Sequence, residues 1–407
     1  MWFQLDWGFA EMSAQVMFYV QHLMGIGHQR RMAAIARACA DEGLQVTYVS
    51  GGFPVQDLDV GTATFVQLPP CRSPSLAFDS LVDARGEAVD EVWWHARADA
   101  LLQAWRSAPH SGLVVETYPF GRKLMRFELE PLVAAARADE AIRISSIRDI
   151  IDYRPTFKKY EAMASAALAG FDEVWVHADP KLMPLDASFP AYAQIAHLVR
   201  YTGYVRESPA PLPAGTDDPS VPAGEVVVSA GGGAYGAQVF DAALEAASLV
   251  SQELPAWRLL VGENITATVF DAFTQRAREI EAEQPVLGIV VERVRPDFQA
   301  LLRRAKVSVS QGGYNTVMDV LSAAVPAVIV AYHDATEREQ LIRGRELANR
   351  DVIELLPDSE LTPSSLAAAV SRATRRTSAS LTLDTDGARN SARRLSERLA
   401  QARTGSR

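Results

Sequence analysis

Hydrophobic positions along this chain follow two patterns that alternate. Short apolar runs, such as residues 16–20 and 327–331, are typical of buried strands. Most of these runs lead into stretches with apolar residues three or four positions apart, which is the spacing of one helix face. Strands that alternate with helices predict an α/β protein built from parallel, doubly wound sheets.

The apolar and alternating runs predict strands in both halves of the chain. They lie at residues 16–20, 45–50, 63–68, 112–115, 142–147, 173–177, 198–202, 225–229, 258–261, 288–291, 307–310, 327–331 and 352–356. Between the two halves, residues 203–224 contain five prolines, a composition typical of a stiff, exposed linker. We therefore expect two Rossmann-like domains whose glycine-rich turns face one another across a cleft.

The predicted boundaries follow from these features. Residues 16–205 form the first domain, 206–224 the linker, 225–370 the second domain and 371–407 a basic helical tail. Residues 1–15 are expected to be an N-terminal arm or a start-site artefact. The first thirteen residues carry two acids and no base, so they lack the positive region of a signal peptide.

The strand predicted at 307–310 runs into a glycine turn and then a helix. Gly312 and Gly313 let a ligand approach the backbone, and the start of the helix supplies N–H groups and a positive dipole end. Asn315 and Thr316 are placed to donate to phosphate oxygens, and Asp319 to accept both hydroxyls of a ribose. The pattern indicates a nucleoside diphosphate site, although an ordinary turn with a capping Asn would look the same.

Two further glycine turns follow strands. Gly25 and Gly27 precede His28 at the start of a predicted helix, where the dipole lowers a histidine's pKa and favours the neutral form of a general base. A triple glycine, Gly231, Gly232 and Gly233, follows the first strand of the second domain. His28 is therefore the first candidate for a catalytic base, with a simple polar helix start as the alternative.

Acids at the ends of two other strands are candidates for the same site. Glu116 follows the strand predicted at 112–115, and Asp149 follows the strand at 142–147. Either is a possible partner or substitute for His28. Arg122 begins a small basic cluster that is suited to an anionic acceptor, although one face of an exposed helix explains it as well.

Charge and cysteine content narrow the function classes. The net charge of −10 argues against a general nucleic-acid binder, and two cysteines are too few for a disulfide framework or a zinc site. The low cysteine content favours a cytoplasmic protein, and because no run of 18 apolar residues exists, we expect no membrane span. Residues 371–407 hold nine arginines and three acids, which makes peripheral contact with anionic lipid conceivable; a solvated helix is the preferred interpretation.

Together, the turn at 25–28, the triple glycine and the segment 310–340 resemble the GT-B glycosyltransferases. The resemblance covers roughly residues 16–370 and extends to the MurG-like enzymes, which add N-acetylglucosamine to a lipid-linked muramyl-pentapeptide. The phrases around His22 and Gln311 also resemble a bacterial group described only as predicted glycosyltransferases. The acceptor-side loops depart from the MurG-like pattern, which puts a lipid-linked acceptor in doubt for this chain.

The resemblance implies an acceptor-binding first domain, a donor-binding second domain and inverting transfer from a nucleoside diphosphate sugar, most often a UDP-sugar, to a hydroxyl group. It implies neither a metal nor a cofactor. It places the diphosphate at Gly312–Thr316 and at the triple glycine, with the ribose at Asp319. It also places the base near Val294 and the donor sugar near Glu339 and Gln340, while Gly25, Gly27 and Arg122 lie on the acceptor side.

Three alternatives stay open from the sequence. A nucleotide-sugar 2-epimerase has the same two-domain architecture, and a nucleotide-sugar-binding protein without catalysis would keep the donor side alone. The pairs Asp57/Asp59 and Asp384/Asp386 have the Asp-x-Asp spacing of metal-dependent glycosyltransferases, but solvated loop acids are the preferred interpretation.

Overall fold

Two parallel β-sheets form the framework of the protein. A computed structural model describes residues 13–23, 26–74, 80–205, 224–230, 236–263, 265–295, 297–334, 337–376 and 383–405. The first sheet contains β1 (Gln15–Val20), β2 (Gln45–Ser50), β3 (Thr64–Gln67), β4 (His110–Glu116), β5 (Ile142–Ile147), β6 (Glu173–Val176) and β7 (Val199–Tyr201). The second contains β8 (Val226–Ser229), β9 (Ala256–Val261), β10 (Gly288–Arg293), β11 (Val307–Gln311), β12 (Ala327–Ala331) and β13 (Glu354–Pro357).

Helices connect these strands and cover both sheets. In the first domain they are α1 (Gly27–Asp41), α2 (Glu91–Arg106), α3 (Arg126–Ala138), α4 (Phe157–Gly170) and α5 (Tyr192–Ile195). The second domain contains α6 (Gly236–Leu249), α7 (Ala267–Glu283), α8 (Phe298–Arg304), α9 (Tyr314–Ala323), α10 (Glu339–Ala348) and α11 (Pro363–Thr374), and α12 (Gly387–Gly405) ends the chain. Short 3₁₀ turns lie at Lys123–Met125, Leu185–Ala187 and Asp358–Glu360.

The strand order predicts where each domain binds a ligand. The order is β3-β2-β1-β4-β5-β6-β7 in one sheet and β10-β9-β8-β11-β12-β13 in the other, and every pair of neighbouring strands is parallel. In the first sheet, β2 and β3 lie on one side of β1, and β4 begins the series of strands on its other side. In the second sheet, β9 and β10 lie on one side of β8, and β11 begins the series on the other. The carboxyl ends of strands at such a reversal of strand order are where open α/β sheets bind ligands.

Burial on both faces explains the apolar strands. All five residues of β12 are buried, as are the four residues of β6 and of β8. Parallel strands covered by helices on both sides are expected to be apolar throughout. The predicted fold class is confirmed: each predicted strand is present, with ends within two residues of the prediction.

The C-terminal helix differs from the solvated tail that the sequence predicts. α12 packs against α1 of the first domain, and Ala392, Leu395 and Leu399 are buried in the core there. Arg394 binds both carboxylate oxygens of Glu173 at 2.7 Å. The net charge of the tail gave no sign of this apolar face. Because α12 packs on α1, it belongs structurally with the first domain. Among the described residues, no helix is both long and apolar enough to cross a bilayer.

Candidate active site

The turns after β1 and β11 meet between the domains. Gly27 opens α1, and Asn315 lies in the first turn of α9. A methyl group at Gly27 would lie 3.2 Å from Asn315 Nδ2, so the side chain of Asn315 reaches the backbone at the start of α1. The N-terminal ends of α1 and α9 therefore border one cleft, as the sequence predicts.

His28 and Glu116 form a hydrogen-bonded pair at this cleft. His28 follows Gly27 at the start of α1, and Glu116 ends β4, the strand beside β1. His28 Nδ1 lies within hydrogen-bonding distance of Glu116 Oε1. Arg31 Nη2 donates to the same oxygen at 2.8 Å, and Arg122 Nη2 lies 3.4 Å from the other carboxylate oxygen. Adjacent parallel strands thus bring an imidazole and a carboxylate together.

The charges around this pair define its protonation. Burial would raise the pKa of Glu116, but His28, Arg122 and Arg31 outweigh it and hold the pKa well below the usual range. Burial lowers the pKa of His28, despite the opposing effect of Glu116. A neutral imidazole beside a carboxylate donates through Nδ1, so Nε2 keeps the lone pair of a base. Within the described part of the chain, no residue hydrogen-bonds to Nε2.

Tyr314 connects the two domains behind this pair. Its hydroxyl donates to the carbonyl of His177 at 3.1 Å and accepts from the backbone N–H of Val205 at 3.1 Å. The guanidinium groups of Arg31 and Arg343 lie 6.0 and 5.8 Å from its ring centroid. The start of α9 is therefore anchored to the first domain directly beside the cleft.

Asp149, predicted as a partner or substitute for His28, lies in a buried ion pair between the domains. Both of its carboxylate oxygens accept hydrogen bonds of 2.8 Å from Arg343 of α10, and both side chains are fully buried. The catalytic role of Asp149 stays a prediction; in the structure the residue joins the first domain to the second.

Side chains of α10 hold the glycine turn of the donor side. Gln340 Oε1 accepts from the N–H of Gly312 at 3.0 Å and lies 3.3 Å from the backbone nitrogen of Tyr332. Gly312 has no room for a side chain, because a Cβ would lie 3.1 Å from Ile329 and 3.2 Å from Gln340. A Cβ at Gly313 would meet only open space. The turn is thus packed on one side and open on the other.

Glu339, predicted to face the hydroxyl groups of the donor sugar, lies in an ion-pair network. Arg148 of the first domain approaches its Oε2 at 2.9 Å, and Arg343 donates to its Oε1 at 2.7 Å. Burial would raise the pKa of Glu339, but the two arginines outweigh it and lower the pKa. The carboxylate is therefore ionised at the cleft boundary, and its sugar-binding role stays a prediction.

The remaining donor-side residues occupy α9 and the end of β10. Asp319 accepts from Gln299 Nε2 at 2.8 Å, Asn315 is exposed and Thr316 is half-buried. The N–H of Val294, just after β10, donates to the carbonyl of Val261 at 3.3 Å, and its side chain is exposed. Gly25, Gly231, Gly232 and Gly233 lie outside the described residues.

No site role was predicted from the sequence for Arg31, Arg343 or His22. Arg31 lies three residues after His28 and Arg343 four residues after Glu339, the helical spacings that place side chains on one face. Either spacing would have been the signal. Gln29 Nε2 lies 3.1 Å from His22 Nδ1, and burial lowers the pKa of His22, so His22 is neutral with its proton on Nε2. It adds a hydrogen-bond donor near Glu116 and Arg122.

The two Asp-x-Asp pairs have local partners. Arg37 donates to Asp59 Oδ2 at 2.9 Å, and Asn390 Nδ2 lies 2.9 Å from Asp384 Oδ2. Among the residues that the structure describes, no cluster of three or more His, Cys, Asp or Glu side chains is arranged to hold a metal ion.

Comparison with known proteins gives a family match for the second domain and the end of the chain. Residues 232–399 match the model of the glycosyltransferase family 28 C-terminal domain. Two curated relatives are both named UDP-N-acetylglucosamine–N-acetylmuramyl-(pentapeptide) pyrophosphoryl-undecaprenol N-acetylglucosamine transferase. The Rhizobium rhizogenes protein is 25% identical over 148 residues, 36% of this chain and 38% of the relative. The Mesorhizobium japonicum protein is 29% identical over 147 residues, 34% of this chain and 36% of the relative.

The chain thus matches little more than a third of the length of these relatives, whereas the fold matches along nearly its whole length. Acinetobacter baumannii MurG superimposes with a TM-score of 0.58 at 14% identity, over 96% of this chain and 99% of the other. The calicheamicin glycosyltransferase CalG4 superimposes with a TM-score of 0.56 at 15% identity, over 96% and 95%. The predicted resemblance to the MurG-like GT-B glycosyltransferases is confirmed, and with it the two-domain GT-B fold.

Proposed function

We propose that this protein is an inverting glycosyltransferase that moves a sugar from a nucleoside diphosphate sugar, most readily a UDP-sugar, to an acceptor hydroxyl. The observation that carries the proposal is the His28–Glu116 pair, which lies where the N-terminus of α1 approaches that of α9. A base with an orienting carboxylate belongs to proton abstraction, and a glycine turn at a helix N-terminus belongs to phosphate binding. Together they describe transfer from a phosphate leaving group to an activated hydroxyl.

In the proposed reaction His28 Nε2 takes the proton of the acceptor hydroxyl. The acceptor oxygen forms a bond to the anomeric carbon of the sugar, and the bond from that carbon to the diphosphate oxygen breaks. Attack opposite the leaving group inverts the anomeric carbon. Glu116 stabilises the imidazolium that forms, because an ionised carboxylate beside it favours the protonated ring.

The leaving diphosphate gains negative charge during this step. The backbone N–H groups at the start of α9 and the positive end of its dipole stabilise that charge, as preorganised donors do. Asn315 and Thr316 supply further donors from the same turn. In this proposal the protein's own dipoles supply the stabilisation, so the reaction proceeds without a metal ion.

The family match lies in the second domain, so it supports the donor side of the proposal. The relatives' names specify an undecaprenol-linked acceptor for those enzymes. We propose only a hydroxyl acceptor for this chain, because its acceptor-side loops differ from the MurG-like pattern.

A panel of UDP, GDP, dTDP, ADP and CDP in a thermal-shift assay, with and without magnesium, tests the donor assignment. A ligand at 100 times its Kd adds about 2.7 kcal/mol to the free energy of unfolding, which raises Tm by a few degrees. We expect one nucleoside diphosphate to shift Tm equally with magnesium and with EDTA. No shift with any of the five would contradict the donor site, and a shift that needs magnesium would contradict metal independence.

A further inference from the structure

The peptide bond between Gly312 and Gly313 is held from inside the protein. Arg343 Nη1 donates to the carbonyl oxygen of Gly312 at 2.6 Å. This bond is trans, so its N–H points opposite to its carbonyl. With the Gly312 carbonyl directed at buried Arg343, the N–H of Gly313 is directed away from the interior.

That N–H lies on the open side of the turn. In the described part of the chain, no acceptor pairs with the N–H of Gly313, whereas the N–H of Gly312 is bound by Gln340. A Cβ at Gly313 would contact nothing within 4 Å. The turn thus presents one free donor beside open space, at the residue that precedes the first turn of α9.

Two carboxylates hold Arg343: Glu339 of its own helix accepts from Nη2 at 2.7 Å, and Asp149 belongs to the other domain. Asp149, in the loop after β5, binds Nε and Nη2 of Arg343 at 2.8 Å each, and both side chains are 0% exposed. A bidentate carboxylate fixes the plane of a guanidinium, which leaves Nη1 aimed at Gly312. The orientation of the turn therefore depends on a residue of the first domain.

We propose that the Arg343–Asp149 pair is a positioning device for the donor diphosphate, which turns the Gly313 N–H toward the phosphate. The inference rests on the proposed function and deepens it. Arg343 and Asp149 act through the peptide and touch no substrate. The diphosphate site is complete only while the two domains are docked on each other, so the acceptor domain controls the affinity of the donor domain for phosphate.

Isothermal titration with UDP, and competition by uridine, tests this role in the full-length protein. The variants are R343M and the double variant D149L/R343M. Replacing both members of a buried ion pair with apolar groups of similar volume is often tolerated, so the double variant keeps the test valid if R343M fails to fold. The matched control is R148M, which removes another arginine that crosses the same boundary, to Glu339, without touching the glycine turn.

We expect UDP affinity to fall about 10- to 100-fold in both Arg343 variants, as for the loss of a hydrogen bond to a charged group. Uridine affinity should stay within about twofold, because uridine has no phosphate to meet the Gly313 N–H. R148M should keep the ratio of UDP to uridine affinity. A merely structural role would weaken both ligands by the same factor.

The inference is overturned if the folded double variant binds UDP as the wild type does, or if UDP and uridine affinities fall equally. Both results leave the proposed function standing, since the wild type still binds UDP. If the wild type itself binds none of the nucleoside diphosphates, the proposed function fails and this inference fails with it.

Discussion

His28 Nδ1 and Glu116 Oε1 lie within hydrogen-bonding distance although 88 residues separate them along the chain. His28 lies at the start of the helix that follows β1, and Glu116 ends β4. These two strands are neighbours at the point where the strand order of the first sheet reverses. Glu116 is fully buried among Arg31, Arg122 and His28, whereas His28 is 19% exposed. The pair thus combines a buried carboxylate with a more accessible imidazole, as the proposed roles of orienting acid and reacting base require.

The substitution Glu116→Gln should separate two effects of Glu116 on His28: the orientation of the ring and the stabilisation of its positive charge. An amide of the same shape still accepts a hydrogen bond from His28 but does not stabilise an imidazolium as a carboxylate does. We expect turnover to fall by about 10²–10⁴-fold, the usual contribution of a positioned base. Steady-state kinetics and the Kd for nucleotide are the measurements. Unchanged turnover would remove Glu116 from the mechanism, and a loss confined to nucleotide affinity would place it on the donor side.

The rate should stay high in mildly acid solution. Burial lowers the pKa of His28 from the ordinary value of about 6.5, so the ring is a neutral base well below that pH. A profile of kcat/KM against pH should therefore have its acid limb clearly below pH ~6.5. An acid limb at or above pH ~6.5 would mean that His28 titrates as a solvated histidine, which would contradict the lowering of its pKa by burial.

The same shift predicts the direction of the stability change with pH. Because the pKa of His28 is lower in the folded state, the unfolded chain binds the extra proton first as the pH falls. The free energy of unfolding should thus decrease from about pH 6.5 downward. Urea titrations of wild type and His28→Ala check this, and the variant should show the weaker dependence. Equal slopes would contradict the buried neutral ring.

The two glycines of the donor turn should respond differently to alanine. Gly312→Ala places a Cβ 3.1 Å from Ile329 and 3.3 Å from the carbonyl of Gln340, so both stability and nucleotide affinity should fall. Gly313 has an ordinary φ of −64° and open space for a Cβ, so Gly313→Ala should change stability by less than about 0.5 kcal/mol.

Nucleotide affinity nevertheless should fall about tenfold or more in Gly313→Ala, because in the proposed complex the diphosphate occupies the space that the methyl group would fill. Thermal unfolding and titration with UDP measure the two effects separately. A folded Gly313→Ala protein with wild-type affinity would place the diphosphate elsewhere.

Asp319 should contribute to binding through the ribose. Asp319→Ala is expected to weaken UDP binding by roughly 1–3 kcal/mol, for a lost hydrogen bond to a charged group. The sharper test is a cycle with 2′-deoxy-UDP, whose ribose lacks one hydroxyl. Wild type should discriminate against the deoxy ligand and the variant should not. Equal discrimination by both proteins would contradict the ribose assignment.

The sequence predicted what depends on local pattern. Strand runs, glycine turns and helix starts are readable from neighbouring residues, so the fold and the positions of His28 and Gly313 were predicted correctly. The ion pair of Asp149 was not predicted, because its partner, Arg343, lies nearly two hundred residues away in the other domain. Likewise, the packing of α12 on α1 was not predicted, because the two helices are distant in the sequence. The contacts of such residues are determined by tertiary packing and not by the local sequence pattern.

The central claim is that His28 activates a nucleophile against a bound nucleoside diphosphate sugar. Water is able to replace an unknown acceptor, so slow release of nucleoside diphosphate from a panel of UDP-, GDP- and dTDP-sugars tests the claim directly. We expect the wild type to release diphosphate from one donor and His28→Ala to release it about 10²–10⁴-fold more slowly at unchanged donor affinity. Binding without release in the wild type, or equal release by both proteins, would contradict the account.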